Sequence, residues 1–257
     1  MMMRARILAA AVTAGLGLAL AAPASAAEDH VELPKQNWTF SGPFGTFDQA
    51  QLKRGYQVYG QVCSACHSMH LLYYRNLMDI GMSEAQVKEI AAGVEVPDGP
   101  NDEGEMFTRP GRPSDHFHSP FPNDNAARAA NGGALPPDLS LIVKAREGGA
   151  NYVYGILTGF TDPPAGVTVP DGMHYNKVFP GHMIAMTPPL SDGLVDYGGE
   201  PQATVSQMAQ DVTAFLAWAS EPEMEARKRL GIKVMLFLII FTGMLYAVKR
   251  KVWSNIH

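Results

Sequence analysis

The chain has 257 residues, a formal net charge of −5 and 46% hydrophobic residues, enough for one good-sized domain or two small ones, and not long enough to force a second core. Its 25 glycines and 19 prolines exceed the combined share of roughly 12% in average chains and predict loop-rich architecture rather than a tightly wound bundle. The acidic balance offers no basic footprint for a nucleic acid, and two cysteines three positions apart cannot staple a chain of this length, so a disulfide scaffold is excluded.

Residues 1–26 read as an export signal. Arg4 and Arg6 form a positive front, Ile7 to Ala22 an apolar run, and Ala24-Ser25-Ala26 a small-residue cleavage site. A transmembrane helix is the competing reading, disfavoured because polar, charged sequence follows an Ala/Gly-rich run. Loss of Arg4 and Arg6 leaves the remainder more acidic still. Residues 27–222 then form one exported domain.

The first strong helix signal starts at Asp48, an N-cap with Gln51 placed to complete a capping box. Leu52, Tyr56, Tyr59, Cys63, Cys66 and His67 follow at spacings that keep one helical face continuous up to the cysteines. Residues 70–92 are expected to be helical, with Leu77, Ile80, Val87 and Ile90 as the apolar positions. From Gly93 to Pro137 frequent Gly and Pro predict irregular chain. This stretch includes an acidic loop with Asp98, Asp102, Glu103 and Glu105, which is either simply solvated or steers a basic partner. Short apolar helices are expected at Leu139–Val143 and Tyr152–Leu157, flanking Glu147-Gly148-Gly149, and a second irregular stretch at Thr161–Gly199. Thr204 to Ala219 is an amphipathic helix, with Thr204 as cap, Gln207 closing the box, and Val205, Met208, Val212, Phe215 and Ala219 on one face. Glu221-Pro222 ends it.

Residues 223–257 read as a membrane anchor with a short cytoplasmic tail. Leu230 to Val248 is 19 residues, close to the ~20 that cross the hydrocarbon core. Lys233 can snorkel to the headgroups and Trp253 sits near the far interface. Basic residues flank both ends, so orientation follows from the export signal: a single pass through a bacterial inner membrane, with the domain on the periplasmic side. A buried core helix is the alternative.

Cys63-Ser64-Ala65-Cys66-His67 has the spacing of a c-type haem attachment site. Each thiol can add across one porphyrin vinyl group, and the histidine then faces the iron. A redox dithiol would want a surrounding βαβ pattern, and a structural zinc site a second pair of ligands; neither pattern is in the sequence. An electron-transfer iron needs a sixth ligand. Met173, Met183, Met186 and Met208 are candidates, Met208 being more simply a packing residue of its helix, and His182 would give bis-histidine ligation. Spacing alone leaves Met183 and Met186 nearly equivalent in the segment Gly181 to Pro189.

With these residues in hand, the sequence resembles the cytochrome c1 family, the haem subunits of ubiquinol–cytochrome c reductase (respiratory complex III). The resemblance rests on Arg54 to Tyr59 leading into the haem motif, Asn131 to Ser140, Ala185 to Leu190, and Asp211 to Trp218 followed by Glu221-Pro222-Glu223 and Arg227-Lys228-Arg229. It implies a mainly α, class I cytochrome c-like haem domain with long irregular loops, crossed N- and C-terminal helices, and one C-terminal transmembrane helix. It implies one covalent haem c held by Cys63 and Cys66, axial ligands His67 and Met186, and Arg146 and Tyr152 at the propionate edge, although Arg146 taken alone could be a solvated surface charge. The implied role is electron transfer from the Rieske iron–sulfur protein to a cytochrome c acceptor, beside a cytochrome b subunit in a dimeric complex in the lipid membrane, with no bond-making catalytic residues in this chain. A free-standing anchored monohaem cytochrome donating to a terminal oxidase is the alternative. A haem peroxidase is a further one, and would want an open sixth site or a second haem motif.

Overall fold

The computed structural model describes residues 31–255, so the expected export segment, residues 1–26, lies outside the described residues. The described chain is mainly helical: α1 (Gln49–Gln61), α2 (Glu84–Ala92), α3 (Asp124–Ala130), α4 (Gly149–Thr158), α5 (Val205–Ser220) and α6 (Met224–Val252). Two small antiparallel hairpins are inserted, β1 (Glu95–Asp98) with β2 (Phe107–Pro110), and β3 (His174–Tyr175) with β4 (Met183–Ile184).

The core is built where α1 meets α5, which is the crossing of N- and C-terminal helices that the family resemblance implies. Both helices start where capping chemistry predicts. Asp48 accepts from the backbone N–H groups of Ala50 and Gln51 at 2.8 and 3.2 Å, and Thr204 Oγ1 from Gln207 N at 3.2 Å. The Gln207 side chain does not close a box. It donates instead to Asp211 Oδ1 at 3.0 Å, because Asp211 is fully buried in the middle of α5 and its carboxylate needs donors. Arg54 of α1 supplies two more, at 2.9 and 3.1 Å. Beside this pair Gly55 lets the helices touch: a Cβ there would lie 2.1 Å from the Asp211 carbonyl oxygen and 2.7 Å from Phe215 Cβ. Phe215 has 0% exposure, packs against Tyr56, Tyr59 and Trp218, and joins Phe117 and Tyr74 in one aromatic cluster.

Several expectations are corrected. The first helix stops at Gln61, before the cysteines. Val62 leaves helical geometry, a 3-10 turn takes Cys63–Ala65, and Ser64 Oγ donates to the Gly60 carbonyl at 2.8 Å, satisfying an acceptor the helix end leaves orphaned. Residues 70–92 are two elements, a 3-10 helix at Tyr74–Ile80 and α2. Gly81 in the left-handed region ends the first, and a Ser83/Gln86 capping box starts the second. Leu139–Val143 is a series of turns rather than a helix, closed by bonds of the i to i+3 kind, Ile142 N to Leu139 O at 3.3 Å and Lys144 N to Leu141 O at 2.9 Å, while Leu139 N and Ser140 N are held by Ser68 O and Asp138 Oδ1, each at 2.9 Å. The stretch 93–137 is less irregular than expected and contains the β1–β2 hairpin and α3. Within that hairpin Asp98 is ion-paired to Arg109, which also holds Asp115, so Asp98 is not one of the unpaired acids of the loop.

The long helix α6 is apolar and long enough to cross a membrane, and among described residues its apolar window is entirely outside the core. Its root is fastened to the domain. Glu221 pairs with Lys144 and Arg227, Glu225 Oε1 accepts from Phe47 N at 2.9 Å, and Lys228 Nζ donates to the carbonyls of Phe40 and Gly45 at 2.6 and 3.1 Å.

The close approach at Gly55 yields a direct expectation. Gly55→Ala should destabilise the domain by about 1–3 kcal/mol or more, since overpacking here meets backbone rather than a flexible side chain. Denaturant or thermal midpoints, compared with Gly60→Ala on the open side of the same helix, measure it; equal midpoints for the two variants would contradict the tight crossing.

Candidate functional site

Three of the expected residues share one turn. Cys66 N and His67 N both donate to the Cys63 carbonyl, at 3.1 and 2.9 Å, so the three side chains are set by a single reversal just past α1. The Cys63 side chain packs against the core and Cys66 is exposed. Burial pushes the Cys63 thiol up to about 12, with Cys66 adding to the effect. A redox dithiol needs a lowered thiol pKa, so this environment does not suit that role.

The turn is held from two sides. From α1, the Tyr59 hydroxyl donates to the His67 carbonyl at 3.3 Å; burial raises this phenol far above its usual range, so it stays a donor. From the opposite side comes the segment Pro137–Ser140. His67 Nδ1 lies 2.8 Å from the Pro137 carbonyl. A carbonyl only accepts, so the imidazole proton sits on Nδ1 and the lone pair on Nε2. Burial, the largest influence, lowers the His67 pKa against the opposing pulls of Pro137 and Asp138, which favours that neutral form. A neutral imidazole with one nitrogen pinned is the form that ligates a metal, and the pinning bond sets the ring's orientation.

Asp138 fixes this segment to the turn. Its Oδ2 accepts from Ser68 Oγ at 2.7 Å, from His70 N at 2.9 Å and from His70 Nδ1 at 2.6 Å, and its Oδ1 from Ser140 N. Ser140 Oγ accepts in turn from Leu71 N at 3.0 Å. Burial alone would raise the Asp138 carboxyl, but donation from Ser140, His70 and Ser68 outweighs it and holds the pKa at about 2. The sequence reading singled out neither Ser68 nor a role for Asp138; an Asp followed two residues later by Ser after Pro-Pro is a turn signal that could have drawn attention to them.

The methionines separate by environment. Met208 is fully buried in α5 and is a packing residue. Met173 lines a cavity of about 620 Å³ between the end of α4 and the Phe160–Tyr175 loop; none of Cys63, Cys66, His67 and Met186 lines it. Met183 is in β4, paired with Tyr175, whereas Met186 lies two residues past the strand in the irregular run before Pro188, half-buried. His182 adopts a left-handed backbone, stacks on Tyr175 at 5.5 Å and directs Nδ1 to the Asn176 carbonyl at 3.2 Å. Asn176 organises this region. It is fully buried, its amide donates to Ile156 O of α4 at 2.8 Å, and its Oδ1 accepts from Val178 N and Phe179 N. No local sequence signal marks it. Arg146 and Tyr152 are brought together: burial raises the Tyr152 phenol pKa and the adjacent Arg146 guanidinium partly offsets that rise.

The donor set suits an iron porphyrin. Two thiols three residues apart on one turn would supply two thioether links, the imidazole of His67 presents an unprotonated Nε2, and a methionine thioether is a soft donor suited to haem iron.

Comparison with known proteins agrees with this chemistry. The model of the Cytochrome C1 family matches residues 38–256. Cytochrome c1 of Rhodospirillum rubrum is 50% identical over 96% of this chain and 97% of its own length. Cytochrome c1-2, heme protein, mitochondrial, of Solanum tuberosum is 51% identical over 95% and 94%. Cytochrome b/c1 of Bradyrhizobium diazoefficiens is 52% identical over 87% of this chain, which matches 36% of that longer protein.

Asp138→Ala leaves two half-buried donors, Ser68 Oγ and Ser140 N, without an acceptor and should lower stability by about 1–3 kcal/mol, read from the denaturation midpoint. The depressed carboxyl also sets a pH window. Its stabilising contribution is complete above the unfolded pKa of about 3.9 and is lost as pH falls through the folded value near 2. The acid limb of a stability–pH profile should therefore flatten in Asp138→Asn; an unchanged limb would show that the network contributes nothing.

Proposed function

The chain belongs to the cytochrome c1 family, and on that premise we propose that it is the electron-transfer subunit of a ubiquinol–cytochrome c reductase, taking electrons from a Rieske iron–sulfur protein and passing them to a cytochrome c through one covalently attached haem c. The observation that carries the reading is the pinned His67 tautomer directly after the two thiols. Family membership implies haem c binding, and haem c when bound supplies a one-electron iron couple. Cys63 and Cys66 are the attachment points. His67 would hold the iron through Nε2, its orientation fixed by Pro137 and, through the backbone, by Asp138 and Tyr59. Met186 would hold it through its thioether sulfur. Arg146, with Tyr152 beside it, would supply positive charge to the haem carboxylates.

Cytochrome b is the neighbouring subunit in this reading, supported by the Bradyrhizobium relative, whose name joins b and c1 in one protein. Quinol chemistry belongs to that neighbour, and this chain contributes the redox path without an acid–base pair of its own. A bacterial relative aligned over nearly the whole chain and the apolar helix α6, the one of that length and composition among the described residues, fit a single-pass membrane protein. Residues 1–26 act as the export signal, 27–222 as the periplasmic haem domain and 223–257 as the anchor of a bacterial inner-membrane protein in a dimeric complex.

Replacing both Cys63 and Cys66 with Ala should abolish haem staining at this chain's mass on a denaturing gel, and surviving stain would end the reading. Met186→Leu should keep the covalent haem but lose the far-red sulfur-to-iron band of the ferric form. Its potential should fall by roughly 100 mV or more, since a thioether favours ferrous iron and axial ligands span a wide range. Met183→Leu should leave spectrum and potential nearly unchanged. The reverse result would assign the ligand to Met183.

A further inference from the structure

One feature outside the candidate site has the properties of a membrane contact. Between Lys35 and Asp48 the chain carries no charged side chain and four aromatic ones, Trp38, Phe40, Phe44 and Phe47. Residues 38–47 fold back on themselves as a loop, with Ser41 N bonded to Trp38 O and Thr46 N to Thr39 O, each at 3.0 Å. Trp38 stacks on Phe40 and Phe40 on Phe47, with ring centroids 5.4 and 5.0 Å apart, so three of the four rings brace the loop internally. Trp38 Nε1 also donates to Asn151 Oδ1 at 2.8 Å, which ties the loop's base to α4. The fourth ring, Phe44 at the tip, does not share in this packing and is 79% exposed.

The direction of the loop follows from its bonds to α6. Its base, Phe47 N, donates to Glu225, while nearer its tip the carbonyls of Phe40 and Gly45 accept from Lys228. Along a helix, three residues advance about 4.5 Å, so the loop runs beside α6 toward the apolar span with its tip leading. Leu230, where the lipid-length stretch begins, is about 3 Å further along the axis. Arg229 and Lys233 flank that level on the same helix, in positions suited to anionic headgroups.

We propose that the 38–47 loop is a second membrane contact, with Phe44 inserted into the headgroup region of the bilayer beside α6. Its occupant is phospholipid. An uncharged, aromatic tip rigidly bonded to the root of a membrane helix, at the level where that helix becomes apolar, has the chemistry of an interfacial anchor. A lone helix leaves its domain free to tilt about the entry point; a second contact off the helix axis restricts that tilt. The inference rests on the reading of α6 as a membrane span.

The test uses the full chain in its native membranes with a photo-reactive phenylalanine analogue, p-benzoylphenylalanine, in place of Phe44. In a second variant it replaces Phe237, in the apolar part of α6. Phe44 is exposed and Phe237 lies outside the core, so neither exchange should disturb folding. After illumination, mass spectrometry should find phospholipid adducts at both positions. Adducts at position 237 with none at position 44 would overturn the loop contact while leaving the span intact. A protein adduct at position 44 would overturn it in favour of a subunit interface. Absence of lipid at position 237 would remove the span, and with it the inference.

Discussion

At Gly55 the backbone of α1 approaches α5 so closely that a single added carbon would lie 2.1 Å from a carbonyl oxygen. This approach is locked by an ion pair rather than by packing alone. Asp211 is wholly buried, so without Arg54 and Gln207 its carboxylate would be an uncompensated charge in the core. The pair therefore acts less as a source of net stability than as a register: α1 and α5 meet in the one alignment where the carboxylate is satisfied. The aromatic cluster around Phe215 forms on that alignment, and the turn bearing Cys63, Cys66 and His67 emerges from the end of α1 at a place which the crossing sets.

From there the turn depends on a second, polar attachment. A chain leaving a helix end with Gly60 nearby would be free to wander, yet Tyr59 holds it from below and Pro137 with Asp138 from the side. Of these bonds, those of Tyr59 and Ser68 are half-buried and those of His67 and His70 exposed. Cooperative networks of this kind rigidify when complete and are costly when broken. The consequence for chemistry is a histidine with one defined tautomer and one orientation, a form suited to ligating a metal with little rearrangement.

The root of α6 is organised by similar means. Glu221 bonds to Lys144 while Glu225 and Lys228 bond to the 38–47 loop, two separate parts of the domain, so the helix is an extension of the folded body for about its first two turns. Beyond that level, apart from Lys233, its side chains up to Val248 are mostly apolar and exposed. An electron-transfer domain works by bringing a redox group near its partners, and a braced root limits the orientations that the domain can take above the bilayer.

What the sequence determined by itself was the local chemistry. The caps Asp48 and Thr204, the periodicity of α5 and the apolar run of α6 each depend on residues within a few positions of one another, and each is present as expected. Gly81 and the Ser83/Gln86 box were equally local and could have divided residues 70–92 correctly. The tertiary structure decided the rest. Where the Leu139 to Val143 turns dock depends on Ser68 and Leu71, some seventy residues away, which bond the Leu139 N–H and the Ser140 hydroxyl. The roles of Asp211, Asp138, Asn176 and Lys228 depend likewise on distant partners. Hydrophobic periodicity reports which face a segment buries, but the partner of a buried polar group is chosen by the fold. A polar side chain in a sequence carries no mark of whether it will meet water or another residue.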